Sequence, residues 1–184
     1  MRVTGGSARG FTLISPKAPG VRPTTDRVRS ALFNIMSRYS VEDSEVADLF
    51  AGTGSLGIEA LSRGAARVDF VEANRRQINV IRDNLQSTGF SELGLVYNER
   101  VETCLVKLRP YDIVLMDPPY TEPFPEKIVT EIGNRRLLKN KGILVCGHSS
   151  KTPINSTYGL LECWDDRRYG DCSLAFFSYP SEDY

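Results

Sequence analysis

Residues 46 to 64 read VADLFAGTGSLGIEALSRG, and this stretch narrows the choice of fold more than any other part of the chain. An apolar run, VADLF, passes directly into a glycine turn and then into a segment of helical composition that stops at Gly64. Gly52-Thr53-Gly54-Ser55-Leu56-Gly57 fits G-x-G-x-x-G in the setting that motif requires, a strand before it and a helix after it. Glycine lets the backbone turn tightly and lets a ligand approach closely. A second strand, RVDFVE, ends on Glu72, 20 positions after Gly52. A carboxylate at that place can accept from both hydroxyls of a ribose. Turn and acid together predict a site for an adenosine-type cofactor. A nicotinamide dinucleotide would set its pyrophosphate over the helix start, where Asp48 on the first strand would repel it. That carboxylate suits the ammonium of S-adenosylmethionine, so the methyl donor is the favoured cofactor. The expected pocket comprises Asp48, Phe50, Gly52, Thr53, Gly54, Gly57, Glu72 and Ala73.

The remaining chain keeps the same alternation. NRRQINVIRDNLQSTG places Ile78, Ile81 and Leu85 on one helical face with Gly89 as its stop, LGLVY and YDIVLMD are strands, residues 124 to 138 are helical, and GILVCG is a fifth strand. GLLECWDD and CSLAFFSYP form two more strands around a turn at Gly170, close enough in sequence to be antiparallel. At the other end, residues 2 to 14 alternate weakly between Gly5, Gly6 and Gly10 and predict a hairpin, followed by a proline-rich loop. TTDRVRSALFNIMSRY then predicts a helix capped by Thr24 or Thr25, with Val28, Leu32, Ile35, Met36 and Tyr39 on its apolar face and Arg27 and Arg29 off it. The pattern predicts an α/β protein with a Rossmann-like, mostly parallel seven-stranded sheet whose last strand is antiparallel. Its expected organisation is an N-terminal hairpin and basic arm over residues 1–22 and one main domain over 23–184.

Charge separates along the chain. The total is zero, yet residues 1 to 40 carry seven arginines and lysines against Asp26 alone, a local charge of +6. A basic segment on an acidic body can steer a polyanion while the molecule stays neutral. No apolar run approaches the roughly 18 residues of a membrane span, and MRVTGGSARG lacks the apolar stretch of a signal peptide. Cys104, Cys146, Cys163 and Cys172 show no C-x-x-C spacing, so neither a metal site nor a disulfide framework is expected. These features predict a cytoplasmic protein with no membrane partner, and nothing in them requires more than a monomer.

LMDPPYTEP, at residues 115 to 123, ends the fourth strand on a stiff turn. In an open α/β sheet the first and fourth strands flank the ligand crevice, so Asp117, Pro118, Pro119 and Tyr120 are expected to face the glycine turn. The Asp117 carboxylate and the Pro118 carbonyl are two acceptors for the two hydrogens of a planar exocyclic amine, and Tyr120 can stack on the base that carries it. Such an amine is a poor nucleophile because its lone pair is delocalised into the ring. Two acceptors can localise that pair as the bond to carbon forms.

With these residues assembled, the chain resembles the RsmD-type family of bacterial small-subunit ribosomal RNA guanine-N2 methyltransferases. The resemblance rests on RPTTDRVRSALFN at 22–34, DLFAGTGSLGIEALSRGA at 48–65, VDFVEAN at 68–74, DPPY at 117–120 and RRYGDCSLAFF at 167–177. It implies a class I S-adenosylmethionine-dependent methyltransferase fold and a guanine in small-subunit ribosomal RNA, free or in the assembling subunit, as substrate. By position it places Gly52, Gly54 and Gly57 against the donor, Glu72 on its ribose and Asp117 to Tyr120 on the guanine. Arg22 to Arg29 would contact RNA or close the site from above, and with the basic N-terminal segment this makes Arg2, Arg9, Arg22, Thr24, Thr25, Arg27 and Arg29 the expected RNA residues. The chain departs from the family twice. Where the family has an acidic or amide residue that reads the donor adenine, this chain has YNERVE, with Arg100 near that place and Asn98, Glu99 or Glu102 as its substitutes, and after the fifth strand it has Gly147-His148-Ser149 in place of Glu-His-Ser. His148 is read as a loop residue near the sheet edge. The residues also accommodate an amine methyltransferase acting on adenine or cytosine in RNA or DNA, or on a protein amide, and a non-catalytic RNA-binding assembly factor. A dinucleotide oxidoreductase is disfavoured by Asp48 and by the lack of a substrate domain.

Overall fold

Strand β1 (Glu45–Leu49) lies between two parallel neighbours, β2 (Arg67–Val71) and β4 (Tyr111–Met116). Val46 to Leu49 are all buried, because both faces of this central strand are covered. The computed structural model describes residues 1–15, 26–36, 39–119 and 123–180. In it β3 (Gly94–Tyr97), β5 (Leu138–Ser149), β6 (Thr157–Tyr158), β7 (Leu161–Tyr169) and β8 (Cys172–Ser178) complete one sheet of order β3-β2-β1-β4-β5-β8-β7-β6. The first five strands are parallel, and β8 runs antiparallel between β5 and β7. This is the Rossmann-like arrangement expected, with an eighth strand. The addition is β6, two residues that pair with β7 at the edge and are too short to leave a pattern in the sequence. The helix expected over 124–138 is also shorter than foreseen. It ends at Asn134, and Leu138 already pairs with Tyr111 across a bulge that the left-handed Lys141 (φ 63°) helps to turn.

Two layers of helix cover the sheet. Helices α1 (Asp26–Met36), α2 (Ser55–Ser62) and α3 (Arg75–Thr88) pack on one face with Val46, Phe70, Leu115 and Phe176. The short α4 (Val101–Cys104) and α5 (Glu126–Asn134) pack on the other with Ala47, Leu49, Met116 and Phe177. Helix α3 shows the clearest local logic. The Asn74 side chain accepts from the Arg76 N–H at 2.9 Å to cap its start, and Gly89 closes it in the left-handed region at φ 80°.

Helix α2 is buried on nearly every side, with seven of its eight residues inside. Its outer surface is covered by the N-terminal segment, where Arg2 and Thr12 form an antiparallel bridge and Val3, Ala8 and Leu13 join the core of the sheet face. The turn of this hairpin presses on the end of α2. Ser7 N–H donates to the Ser62 carbonyl at 2.7 Å, and a Cβ on Gly6 (φ 77°) would lie 1.7 Å from that same oxygen, so only glycine fits.

A buried carboxylate fixes the packing. Glu59 of α2 is wholly inside and accepts from the Thr4 N–H (2.8 Å), the Thr4 hydroxyl (2.7 Å), Arg63 Nε (2.9 Å) and Arg29 Nε (3.2 Å). Arg29 also donates to the Arg2 carbonyl. This corrects the reading of Arg29 as an RNA contact. Its side chain is 0% exposed, because Leu32 and Phe33, three and four residues on, carry it onto the buried side of α1. Replacing Glu59 by Ala would strand a buried guanidinium, and is expected to cost about 3–5 kcal/mol, read as a lower urea midpoint at unchanged slope. A shift below about 1 kcal/mol would remove the pair from the packing argument.

Candidate active site

Strand order reverses between β1 and β4, and their ends emerge side by side. Leu49 is in register with Met116, so Phe50 and Asp117 leave the sheet as neighbours. After β1 the chain enters a turn in which Phe50, Gly52 and Gly54 are all left-handed, at φ 58°, 55° and 75°. For Phe50 this conformation costs roughly 1–2 kcal/mol. The turn is held by Ala51 N–H donating to the Val71 carbonyl at 3.0 Å and Gly54 N–H to the Ala51 carbonyl at 2.7 Å.

The three glycines of the motif have different surroundings. A Cβ on Gly52 would meet only the Phe50 carbonyl, at 3.9 Å, so the space over this residue is open to a ligand. A Cβ on Gly54 would touch Ile81 at 3.3 Å. A Cβ on Gly57 would lie 2.3 Å from the Phe70 ring, so Gly57 serves the contact of α2 with the sheet rather than the lining of a pocket. That is a correction to the expected donor contact.

Three carboxylates meet at this crevice. Glu72, at the end of β2, bridges two backbone segments. One oxygen accepts from Gly52 N–H and the other from Asn74 N–H, both at 2.8 Å. Asp48 is 1% exposed and accepts from Gly57 N–H at 2.8 Å. Burial pushes its carboxyl well above the usual aspartate range. The Gly57 hydrogen bond opposes that shift, and the negative charges of Asp117 and Glu72 add to it. Asp48 is thus inside the protein, beneath the turn, and acts on the crevice through its hydrogen bond to α2. Asp117 is half-buried, Pro118 is buried and Pro119 is exposed. A crevice with carboxylates after β2 and β4 favours a cationic ligand with hydroxyls to share and opposes a pyrophosphate. Among the described residues, no group of three or more His, Cys, Asp or Glu has the arrangement of a metal site.

The other expected residues divide. Arg2, Arg9 and Arg27 are exposed, whereas Tyr120, Arg22, Thr24 and Thr25 lie outside the described residues. Ala73 is exposed, and its carbonyl accepts from the Asn98 amide at 3.1 Å. Glu99 pairs with Lys107 at 2.6 Å, and Arg100 is exposed at the start of α4. Asn98, which also donates to the Glu72 carbonyl at 3.3 Å, is therefore the third-strand side chain tied to the Glu72 end of the crevice.

His148 is not a loop residue. It belongs to β5, is 4% exposed, donates from Nδ1 to the Ser149 carbonyl at 3.0 Å and sets Nε2 3.0 Å from the Asp166 carboxylate. It meets the Phe124 ring edge-on, at 5.6 Å between centroids. Phe124, His148 and Ser149, with Pro118, Pro119 and Pro123, line a small, partly open hollow of about 10 Å³ beside the proline turn, room for about one water. Glu59 and Asn84 are structural residues that the sequence reading does not single out. The signal available for Asn84 and Glu59 was a polar residue interrupting an apolar helix face.

Comparison with known proteins gives consistent matches. Residues 1–178 match the profile of a family described as "Conserved hypothetical protein 95". The chain is 32% identical over 181 residues to YlbH of Bacillus subtilis (strain 168), provisionally named an rRNA methyltransferase, with 96% of this chain and 98% of that one aligned. It is 35% identical over 144 residues to the Ribosomal RNA small subunit methyltransferase D of Escherichia coli (strain K12), across 78% of this chain and 72% of that one. A solved Escherichia coli structure, yhhF, provisionally described as a methyltransferase, superposes with a TM-score of 0.86 at 28% identity, across 99% of each chain.

The state of Asp48 has a measurable consequence. Its folded value lies above the ordinary 3.8, so the stability it contributes is complete below that value and is lost as pH rises through the folded value. Asp48→Asn keeps an acceptor for Gly57 N–H and cannot ionise. The variant is expected to melt above the parent by a margin that grows as pH rises from about 4. A margin independent of pH would show that Asp48 does not titrate in the fold.

Proposed function

The chain belongs to the family described as "Conserved hypothetical protein 95", that of the RsmD-type ribosomal RNA methyltransferases, and on that premise we propose that it methylates the N2 amine of a guanine in small-subunit ribosomal RNA. Its fold is the class I S-adenosylmethionine-dependent methyltransferase fold. The membership supports methyl transfer to small-subunit rRNA, and the choice of guanine N2 is our reading. The observation that carries it is the register of Leu49 with Met116, which sets the glycine turn and Asp117-Pro118 next to each other at one crevice.

S-adenosylmethionine, when bound, supplies a methyl group made electrophilic by its sulfonium. The residues fit that donor, because Gly52 leaves open space, Glu72 carries a carboxylate for the ribose, and the acidic crevice suits its positive charges. In this reading Asp117 and the Pro118 carbonyl accept the two amine hydrogens and localise the nitrogen lone pair toward the incoming carbon. The proline frame fixes both acceptors in advance, so little reorganisation remains for the transition state. The target base leaves its stack to reach the crevice, as base-modifying enzymes require. Asp117 or water takes the proton released. The substrate is free rRNA or the assembling subunit, held by the exposed Arg2, Arg9 and Arg27. The protein acts as a cytoplasmic monomer. Among the described residues no helix is long and apolar enough to cross a membrane.

The test is transfer of labelled methyl groups to rRNA and to partly assembled small subunits from cells lacking the protein, with the product nucleoside identified by mass. N2-methylguanosine is expected, and N6-methyladenosine or N4-methylcytidine would overturn the base. Asp117→Ala should lower kcat by about 10²-fold or more while changing the donor Kd by less than about threefold, so a near-normal rate would end the clamp argument. Arg27→Ala should weaken RNA binding and reduce the slope of its salt dependence by about 1. An unchanged slope would take Arg27 out of the RNA contact.

A further inference from the structure

Asn84 is the one polar side chain among the four buried residues of α3, and it is 0% exposed. An amide on an apolar helix face is unfavourable unless every polar atom finds a partner. Here the Asn84 Oδ1 accepts from Ile14 N–H at 2.7 Å, and its Nδ2 donates to the Ile14 carbonyl at 3.1 Å and to the Thr53 carbonyl at 3.0 Å. The orientation is fixed by chemistry, since a flipped amide would set its oxygen against two carbonyls. The bonds to Ile14 imitate those of a neighbouring strand and anchor the second arm of the N-terminal hairpin. The remaining bond reaches the middle of the donor turn. Thr53 sits between Gly52 and Gly54, both left-handed, so a hold on its carbonyl orients the Thr53–Gly54 peptide, whose N–H donates to the Ala51 carbonyl at 2.7 Å.

We propose that Asn84 is a positioning residue that couples the donor turn to the RNA-facing hairpin, so that donor and RNA each tighten the binding of the other. This rests on the function proposed above. A ligand that orders the Thr53 peptide strengthens the amide's hold on Ile14, and with it the hairpin that carries Arg2 and Arg9. The reverse follows by thermodynamic linkage with the same factor. The hairpin's other hydrogen bonds named above, from Thr4 and Ser7 to Glu59 and Ser62 at the far end of α2 and from Arg29 of α1 to the Arg2 carbonyl, give no direct link to the turn.

The experiment measures binding of S-adenosylhomocysteine with and without small-subunit rRNA, and of the rRNA with and without S-adenosylhomocysteine, at one salt concentration. The parent protein is expected to show the same factor both ways, about fivefold or more. Asn84→Asp keeps the acceptor for Ile14 N–H and sets an oxygen against the two carbonyls. Ile14→Pro removes that N–H from an exposed position and leaves Asn84 and Thr53 intact, so it decides the matter if the first variant does not fold. In each the factor should fall below about twofold while donor and RNA still bind singly. Hydrogen exchange at the Ile14 amide should slow on adding S-adenosylhomocysteine to the parent, and not to Asn84→Asp. An equal factor in parent and variants would overturn the proposal, as would a loss of both affinities and of melting temperature with the factor preserved, which would mark a purely structural role. Failure of the parent to bind S-adenosylhomocysteine at all would instead overturn the functional reading, and this inference with it.

Discussion

The Glu59 carboxylate is the constraint on which the helical face of this protein depends. A charge with no exposure is costly unless it is fully paired, and Glu59 finds its partners on three separate pieces of chain: Thr4 in the hairpin, Arg29 in α1 and Arg63 in its own helix. None of these pieces can move without leaving a buried charge or donor unpaired. Helix α2 is thereby pinned at the end away from the glycine turn, while at the other end Asp48 holds it through Gly57 N–H. The turn therefore starts a helix fixed at both ends, and its unusual backbone at Phe50 and Gly52 is imposed by the surroundings rather than chosen locally.

What α2 does for the turn, the sheet does for the proline clamp. Parallel pairing of β1 with β4 delivers two loops of unrelated sequence to one place, with separation set by strand spacing. Behind the second loop, Phe124 packs with His148, Tyr158 and Phe177. The His148–Asp166 contact spans β8 to join β5 and β7 under the same loop. A stiff tetrapeptide is useful only on a stiff base, and this cluster provides one.

The parallel strands, the glycine turn, the acid after β2 and the antiparallel last strand were legible because each depends on local composition or on spacing along the chain. Element ends at Gly64 and Gly89 were legible for the same reason. What escaped depends on partners far apart in sequence. Arg29 has the look of a surface cation until Glu59, 30 residues later, takes it inside. Gly57 fits a ligand motif, yet the Phe70 ring that requires it belongs to β2. Asn84 occupies an apolar face for the sake of Ile14, 70 residues earlier. His148 lacked a visible role because Asp166 joins it only across an intervening strand. Strand β6 was too short to show a period at all.

The burial of Arg29 changes how the charge of the first 40 residues is to be understood. One of its seven cations is spent inside the core, and Arg2, Arg9 and Arg27 are the exposed ones among the described residues. Within the proposed function these exposed cations act together with a crevice that carries the Glu72 and Asp117 carboxylates. The two fields act on different parts of the same substrate. Phosphates are drawn to the hairpin and α1 and repelled from the crevice, whereas an unstacked base, neutral and rich in donors, meets no such barrier. In that function the exposed cations hold the RNA backbone while the acidic crevice, which a phosphate would avoid, receives the base.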